Sequence, residues 1–221
     1  MSQARYSLVI GNKMWSSWSL RPWLLMRQFG LPFDEIHILL RSPTTAAEIG
    51  RYSPSGKVPV LIDDGLAVWD TLAIVEYLAD AHPGMAIWPR EPKARAIARA
   101  VSAEMHSGFQ ALRQNCPMDF CARGLEPADT SAIKADVAHI VAIWRDCRAR
   151  YGSSGPFLFG DFCAADAMFA PVASRLVTYN LDLAQFGDDG VAATYGAALM
   201  ALPAMADWAH DAKAEQENAQ G

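Results

Sequence analysis

The sequence predicts an α/β domain of βαβ-ββα order followed by an all-α domain. Three observations carry this. Every strand-like segment lies before residue 70. Three prolines and a glycine (Pro83, Gly84, Pro89, Pro92) interrupt the pattern between residues 83 and 92. Beyond them, apolar residues recur at helical spacing and strand signals nearly vanish. The expected division is residues 1–83, a linker over 84–92, and a helical part over 93–221.

Residues 5–11 are rich in β-formers and read as the first strand. Residues 12–19 are polar and aromatic, a loop. From residue 20 the period becomes helical, with Leu20, Leu24, Leu25 and Phe29 on one face and Gly30 as the stop. Residues 35–40 form a second strand, and 46–52 a short helix or turn. Val60-Leu61-Ile62 and residues 66–69 make a hairpin around Asp63-Asp64-Gly65. A helix over 72–81 ends near His82-Pro83-Gly84. This order is a right-handed parallel crossover with a hairpin added, the thioredoxin-like arrangement. In the second half, helices are expected over 93–115, 133–151, 164–176, 193–199 and 203–212. In the second of these, Val137, Ile140, Val141 and Trp144 share a face. From Glu215 the chain is polar and is expected to fray.

The 221 residues, 52% hydrophobic and 19% charged, suffice for one large or two small domains. The net charge is −5 with no long run of one sign, which argues against a nucleic-acid partner. No basic start precedes an apolar segment, and no apolar run nears the roughly 20 residues that span a membrane. The expectation is a soluble, cytoplasmic chain without a membrane role. Cys116, Cys121, Cys147 and Cys163 form no C-x-x-C and no zinc-finger spacing with histidine, so they read as small buried hydrophobes, and no metal is implied.

The segment Gly56-Lys57-Val58-Pro59-Val60-Leu61 carries the chemistry. Proline cannot donate to a strand ladder, so Pro59 fits a strand's first residue, and a tight X-Pro turn is the usual place for a cis bond. Such a turn frees the N–H and C=O of Val58 for another peptide. Asp70-Thr71 opens a helix whose N–H donors and positive dipole end suit a carboxylate. Alternatively, each piece is ordinary: Lys57-Val58-Pro59 a loop, and Asp70 or Thr71 a plain N-cap.

Ser53-Pro54-Ser55-Gly56-Lys57-Val58-Pro59-Val60-Leu61, followed by Trp69-Asp70-Thr71-Leu72-Ala73-Ile74-Val75-Glu76-Tyr77-Leu78, resembles the glutathione transferase superfamily. The resemblance implies that Val58, before a cis Pro59, pairs its backbone with the cysteinyl part of glutathione. It implies that Asp70 and Thr71 hold the γ-glutamyl group, with Lys57 assisting. Ser16 precedes Arg21 by the five positions at which serine-type classes often place a catalytic serine. Ser16-Ser17-Trp18-Ser19-Leu20-Arg21 also looks like the zeta-class motif, in which Ser16 would match the catalytic serine and Ser17 its neighbour. Trp18 stands where zeta carries cysteine. Without a loop cysteine, the disulfide chemistry of the beta and omega classes is disfavoured. The serines also read as helix caps, Ser19 at the N-cap with Pro22 in the first turn. A hydroxyl there sits beside a helix N-terminus. A free thiol has a pKa of about 8.5, and lowering it by two units takes roughly 2.7 kcal/mol, which one charge-assisted bond plus a dipole supplies.

In the helical part, residues 105–115 resemble a zeta stretch with Ser-Gly-x-Gln, so Gln110 would approach glutathione. His106 lies one turn earlier on the same expected face and reads either as an interface histidine or as a substrate-side group. Gly160-Asp161-Phe162-Cys163-Ala164-Ala165-Asp166 resembles the family's helix-capping motif, with Cys163 in place of Ser or Thr; Asp166 has a folding role. Arg175 is a candidate carboxylate ligand on this helix; the zeta substrate-carboxylate arginine falls about one turn later, so its role is not carried over to Arg175. The implied function is a glutathione transferase that activates the thiol with a serine and conjugates it to a small electrophile. Cis–trans isomerisation of a small unsaturated diacid, a non-catalytic binding module and a glutathione-dependent reductase are the alternatives. The family also implies a homodimer.

Overall fold

A computed structural model describes residues 4–220. β1 (Tyr6–Gly11) pairs in parallel with β2 (Phe33–Ile38) and antiparallel with β3 (Val60–Asp63). β3 continues antiparallel to β4 (Leu66–Trp69), so the sheet order is β2-β1-β3-β4. α1 (Ser17–Gln28) is the crossover, α2 (Thr45–Ile49) lies between β2 and β3, and α3 (Thr71–Ala81) follows β4. The period-two alternation of β1 decides what covers each face. Leu8 and Ile10 join Leu20 and Leu24 of α1 and Ile74 and Leu78 of α3 in one core. Val9 turns the other way, with Val60, Ile38 and Ile49.

The remaining chain is helical, apart from isolated bridges at residues 157–161: α4 (Pro92–Ser107), α5 (Gln110–Asn115), α6 (Thr130–Tyr151), α7 (Ala164–Thr178), a 3-10 turn (Leu183–Phe186), α8 (Val191–Met200) and α9 (Pro203–Gln220). This is a thioredoxin-like domain followed by an all-helical one. α7 is apolar nearly all round, as a helix must be that sits among others. It packs against α1, α4 and α8 and so joins the two halves. No described helix is long and apolar enough to cross a membrane. Cys116, Cys147 and Cys163 are buried as expected, whereas Cys121 is partly exposed.

Several elements depart from the sequence expectation, each for a visible reason. The N-cap of α1 is Ser16, not Ser19, and the helix begins three residues earlier than its apolar period. β2 ends at Ile38, because the Leu40 N–H turns to the Asn12 side chain at 2.7 Å. The helix expected over 93–115 breaks. Gly108 is extended and Phe109 is left-handed (φ 60°), and a Cβ on Gly108 would stand 2.9 Å from the Glu104 carbonyl. His106 therefore lies in the last turn of α4, which ends at Ser107, while Gln110 begins α5, and the same-face relation expected of them is lost. Finally, α9 runs on through Glu215. The Glu215 carboxylate accepts the Lys13 N–H at 2.9 Å, meets Asn12 Nδ2 at 3.3 Å and pairs with His37 at 2.8 Å.

Candidate active site

Two local structures make one wall of a cleft. The Val58–Pro59 bond is cis, and the strand begins immediately after it at Val60. No hydrogen bond from Val58 N–H or to its C=O is found among the described residues. Beside it, Asp70 caps α3 from a positive φ of 74°. Its Oδ1 accepts the N–H groups of Leu72 (2.9 Å) and Ala73 (3.3 Å), which leaves Oδ2 pointing elsewhere. Thr71 is buried and donates its hydroxyl to the Trp18 carbonyl at 3.1 Å, tying the start of α3 to the start of α1.

The opposite wall comes from the end of α4. His106 Nε2 lies 3.2 Å from Asp70 Oδ2, and its ring stands edge-on to Trp18 at 5.2 Å. Between the walls is a cavity of about 580 Å³, lined by Lys57, Val58, Pro59, Asp70, Thr71 and Trp18 with Ser55, Trp69, His106 and Ser107. That volume lies within the range of roughly 300–1,000 Å³ common for small-molecule sites.

Five residues singled out from the sequence thus meet at one cavity: Lys57, Val58, Pro59, Asp70 and Thr71. Ser16 and Ser17 do not line it. Both lie at the N-terminus of α1 beside Trp18, each 7% exposed. Ser16 Oγ is 2.7 Å from Ser19 Oγ, and the Ser17 carbonyl accepts from Arg21. Gln110 is exposed and donates to the Ser107 carbonyl at 3.3 Å, outside the cavity. His106, read in two ways from the sequence, is in the cavity wall. Ser55 and Trp69 also line it, close in sequence to Lys57 and Asp70.

Trp18 is the residue the sequence undervalued. The Arg21 guanidinium lies 4.5 Å from its ring centroid and that of Arg113 lies 4.7 Å away. Arg21 is fully buried, and it donates to the carbonyls of Met168 (2.9 Å) and Ser17 (2.9 Å). Arg175, also buried, donates to Cys116 and Pro171 carbonyls, and Arg113 to those of Gly108 and Met105. None of the three pairs with a carboxylate among the described residues. Burial, reinforced by the other guanidiniums, holds the pKa values of Arg21 and Arg175 below the ordinary range. Arg113 is lowered by burial as well.

The loop that carries Ser16 is held from the far end of the chain. Lys13 Nζ is buried between Glu35 (2.7 Å) and Asp211 (2.6 Å), and the Lys13 carbonyl accepts from Trp208 Nε1 at 2.8 Å. No local sequence signal marks Asp211 and Trp208, which are separated from the loop by most of the chain.

Residues 15–81 match the family model "Glutathione S-transferase, N-terminal domain". A probable maleylacetoacetate isomerase of Caenorhabditis elegans is 33% identical over 43% of this chain, a match that spans only 44% of that protein. The maleylacetoacetate isomerase of Rattus norvegicus is 27% identical over 77% of each chain. A zeta-class glutathione S-transferase of Euphorbia esula is 25% identical, again over 77% of each. Among solved structures, a glutathione transferase homolog from Burkholderia with bound glutathione has a TM-score of 0.70 at 21% identity, covering 94% of this chain and 98% of that one. A Tau class glutathione S-transferase from mango has a TM-score of 0.71 at 21% identity over 99% of both. These structural likenesses concern the fold.

Proposed function

We propose that this chain, whose residues 15–81 match the glutathione S-transferase N-terminal domain, is a glutathione S-transferase that binds glutathione in the cavity between its halves and conjugates the thiol to a small electrophile. The observation that carries this is the meeting of Val58–Pro59, Asp70–Thr71 and Trp18 at one cavity of suitable size. In this reading the free main-chain groups of Val58 pair with the cysteinyl part of the peptide. The α-carboxylate of the γ-glutamyl group lies at the start of α3, where the Thr71 N–H and the dipole favour an anion, the Leu72 and Ala73 N–H groups being held by Asp70. Asp70 Oδ2 takes the neighbouring ammonium, and Lys57 assists from the rim. Ser16 does not line the cavity itself, but at the N-cap of α1, two residues before the lining Trp18, its hydroxyl in this reading donates to the sulfur and favours the thiolate, with Ser17 next to it. Trp18, Val58, Pro59 and Trp69 supply apolar surface for the electrophile. Gln110 has no part in this geometry.

Calorimetric titration with millimolar glutathione tests the binding step. Heat of binding is expected, and its absence would favour a non-catalytic scaffold. Ser16→Ala should then lower turnover with little change in glutathione affinity; unchanged turnover would remove Ser16 from the mechanism.

Two observations favour a second reading, glutathione-dependent cis–trans isomerisation of a small unsaturated diacid. Relatives carry the name maleylacetoacetate isomerase, and Arg21 and Arg113 bring two guanidiniums onto Trp18 that pair with no carboxylate among the described residues. Comparing turnover of a maleyl diacid with that of an aryl halide, both with glutathione, separates the readings. We also propose a cytoplasmic homodimer. On the edge strand β4, Leu66 is 52% exposed, which leaves apolar surface for a second copy. Sedimentation showing a monomer at micromolar concentration would exclude it.

A further inference from the structure

We infer that Ser19 is a positioning residue that makes Ser16 an obligate hydrogen-bond donor; this rests on the reading in which Ser16 faces the glutathione sulfur. Ser19 sits in the first turn of α1 with no solvent exposure. Its Oγ lies 3.1 Å from the Gly11 nitrogen and 2.7 Å from Ser16 Oγ. β3 has stopped pairing with β1 at Val9, so the Gly11 N–H lies beyond that ladder.

The protons in this chain have one consistent arrangement. A backbone N–H can only donate, so Gly11 occupies a lone pair of Ser19 Oγ. Ser19 has one hydroxyl proton, and Ser16 Oγ is the acceptor in reach. The reverse assignment, Ser16 donating to Ser19, would strand the buried Ser19 proton without an acceptor, a cost of about 1–3 kcal/mol. Ser16 Oγ also receives the Ser19 N–H at 3.4 Å as the helix cap. Both acceptor positions on Ser16 are then filled from inside, and its own proton remains for an outside partner. Ser16 is also the one residue of the pair with any exposure, 7% against none for Ser19.

The consequence is selectivity between two forms of the bound sulfur. A hydroxyl free to rotate can donate to a thiolate or accept from a thiol, and so stabilises both. A hydroxyl whose lone pairs are occupied can only donate, and a group that only donates favours the anion. The run from Gly11 N–H through Ser19 to Ser16 also polarises the last hydroxyl in the donating direction. Ser19 thus acts through Ser16 without touching the substrate.

The test is a pH titration of the thiolate absorbance of bound glutathione, with glutathione affinity measured in parallel. Ser16→Ala and Ser19→Ala are compared with the volume-matched pair Ser19→Thr and Ser19→Val, which differ in the hydroxyl alone. The matched pair keeps the comparison open if Ser19→Ala does not fold. Ser16→Ala, Ser19→Ala and Ser19→Val should all raise the apparent thiol pKa, and a rise of about one corresponds to roughly tenfold less thiolate at pH values below it. Glutathione affinity should stay within about twofold, and Ser19→Thr should restore the lower value relative to Ser19→Val. A raised pKa in Ser16→Ala with Ser19→Val equal to Ser19→Thr overturns the role of Ser19 and leaves that of Ser16 standing. An unchanged thiol pKa in Ser16→Ala overturns the reading of Ser16 itself.

Discussion

His106 Nε2 and Asp70 Oδ2 stand 3.2 Å apart, one on the last turn of α4 and the other at the cap of α3. The two halves of the protein therefore meet at the carboxylate assigned to the ligand's ammonium. Asp70→Asn keeps an oxygen for capping Leu72 and Ala73 but removes the charge. The glutathione KM should rise about tenfold, or roughly 1.4 kcal/mol, with kcat nearly unchanged. Initial rates at varied glutathione check this.

Arg21 links α1 to α7 through main-chain carbonyls on both helices. Arg21→Ala leaves those carbonyls without their donor and opens a cavity under Trp18. A loss of about 3 kcal/mol or more is expected, read as a lower midpoint in urea unfolding.

Asp166 gives a pH effect of unusual sign for a carboxylate. Its oxygens accept from Cys163 N–H (2.8 Å), Leu158 N–H (3.1 Å) and Tyr195 O–H (2.9 Å). Burial nonetheless outweighs these bonds and pushes its pKa up to about 6. The folded state thus binds this proton more tightly than the unfolded chain. The resulting stabilisation is fully present below the ordinary carboxylate pKa of about 3.9, and it is lost as pH rises through about 6. The stability difference between the parent protein and Asp166→Asn should therefore shrink from pH 4 toward pH 7. Unfolding curves across that range read it directly.

Glu215 holds the loop before α1 by accepting the Lys13 N–H. In Glu215→Ala that amide loses its acceptor. Its hydrogen exchange should speed up at least tenfold, while amides in β1 keep their protection. Exchange followed by NMR distinguishes this local opening from a global one.

What could be foreseen from the chain was local. Pro59 announced the turn, Asp63-Asp64-Gly65 the hairpin, and Asp70 the cap of α3, because each acts through its own φ, its missing N–H or a side chain reaching two residues on. The same logic failed where the deciding partner was distant. Nothing near Trp18 indicates that Arg113, far along the chain, stacks on it. Nothing near Glu215 indicates Lys13, so a polar tail that looked ready to fray is anchored instead. The break at Gly108 was hidden in an alanine-rich helical pattern, since period alone does not register a glycine lying against the preceding turn. Ser16 and Ser19 were both visible as hydroxyls, but which one capped the helix depended on the end of β1.

Of the seven tryptophans, Trp23, Trp88, Trp144 and Trp208 are sealed in the interior, and only Trp18 and Trp69 border the cavity. Trp18 already has two guanidiniums and an imidazole against its indole. Any molecule entering alters the surroundings of those two indoles and leaves the sealed four in place. The cleft carries a built-in optical reporter, and occupancy is readable from intrinsic emission without attaching a dye.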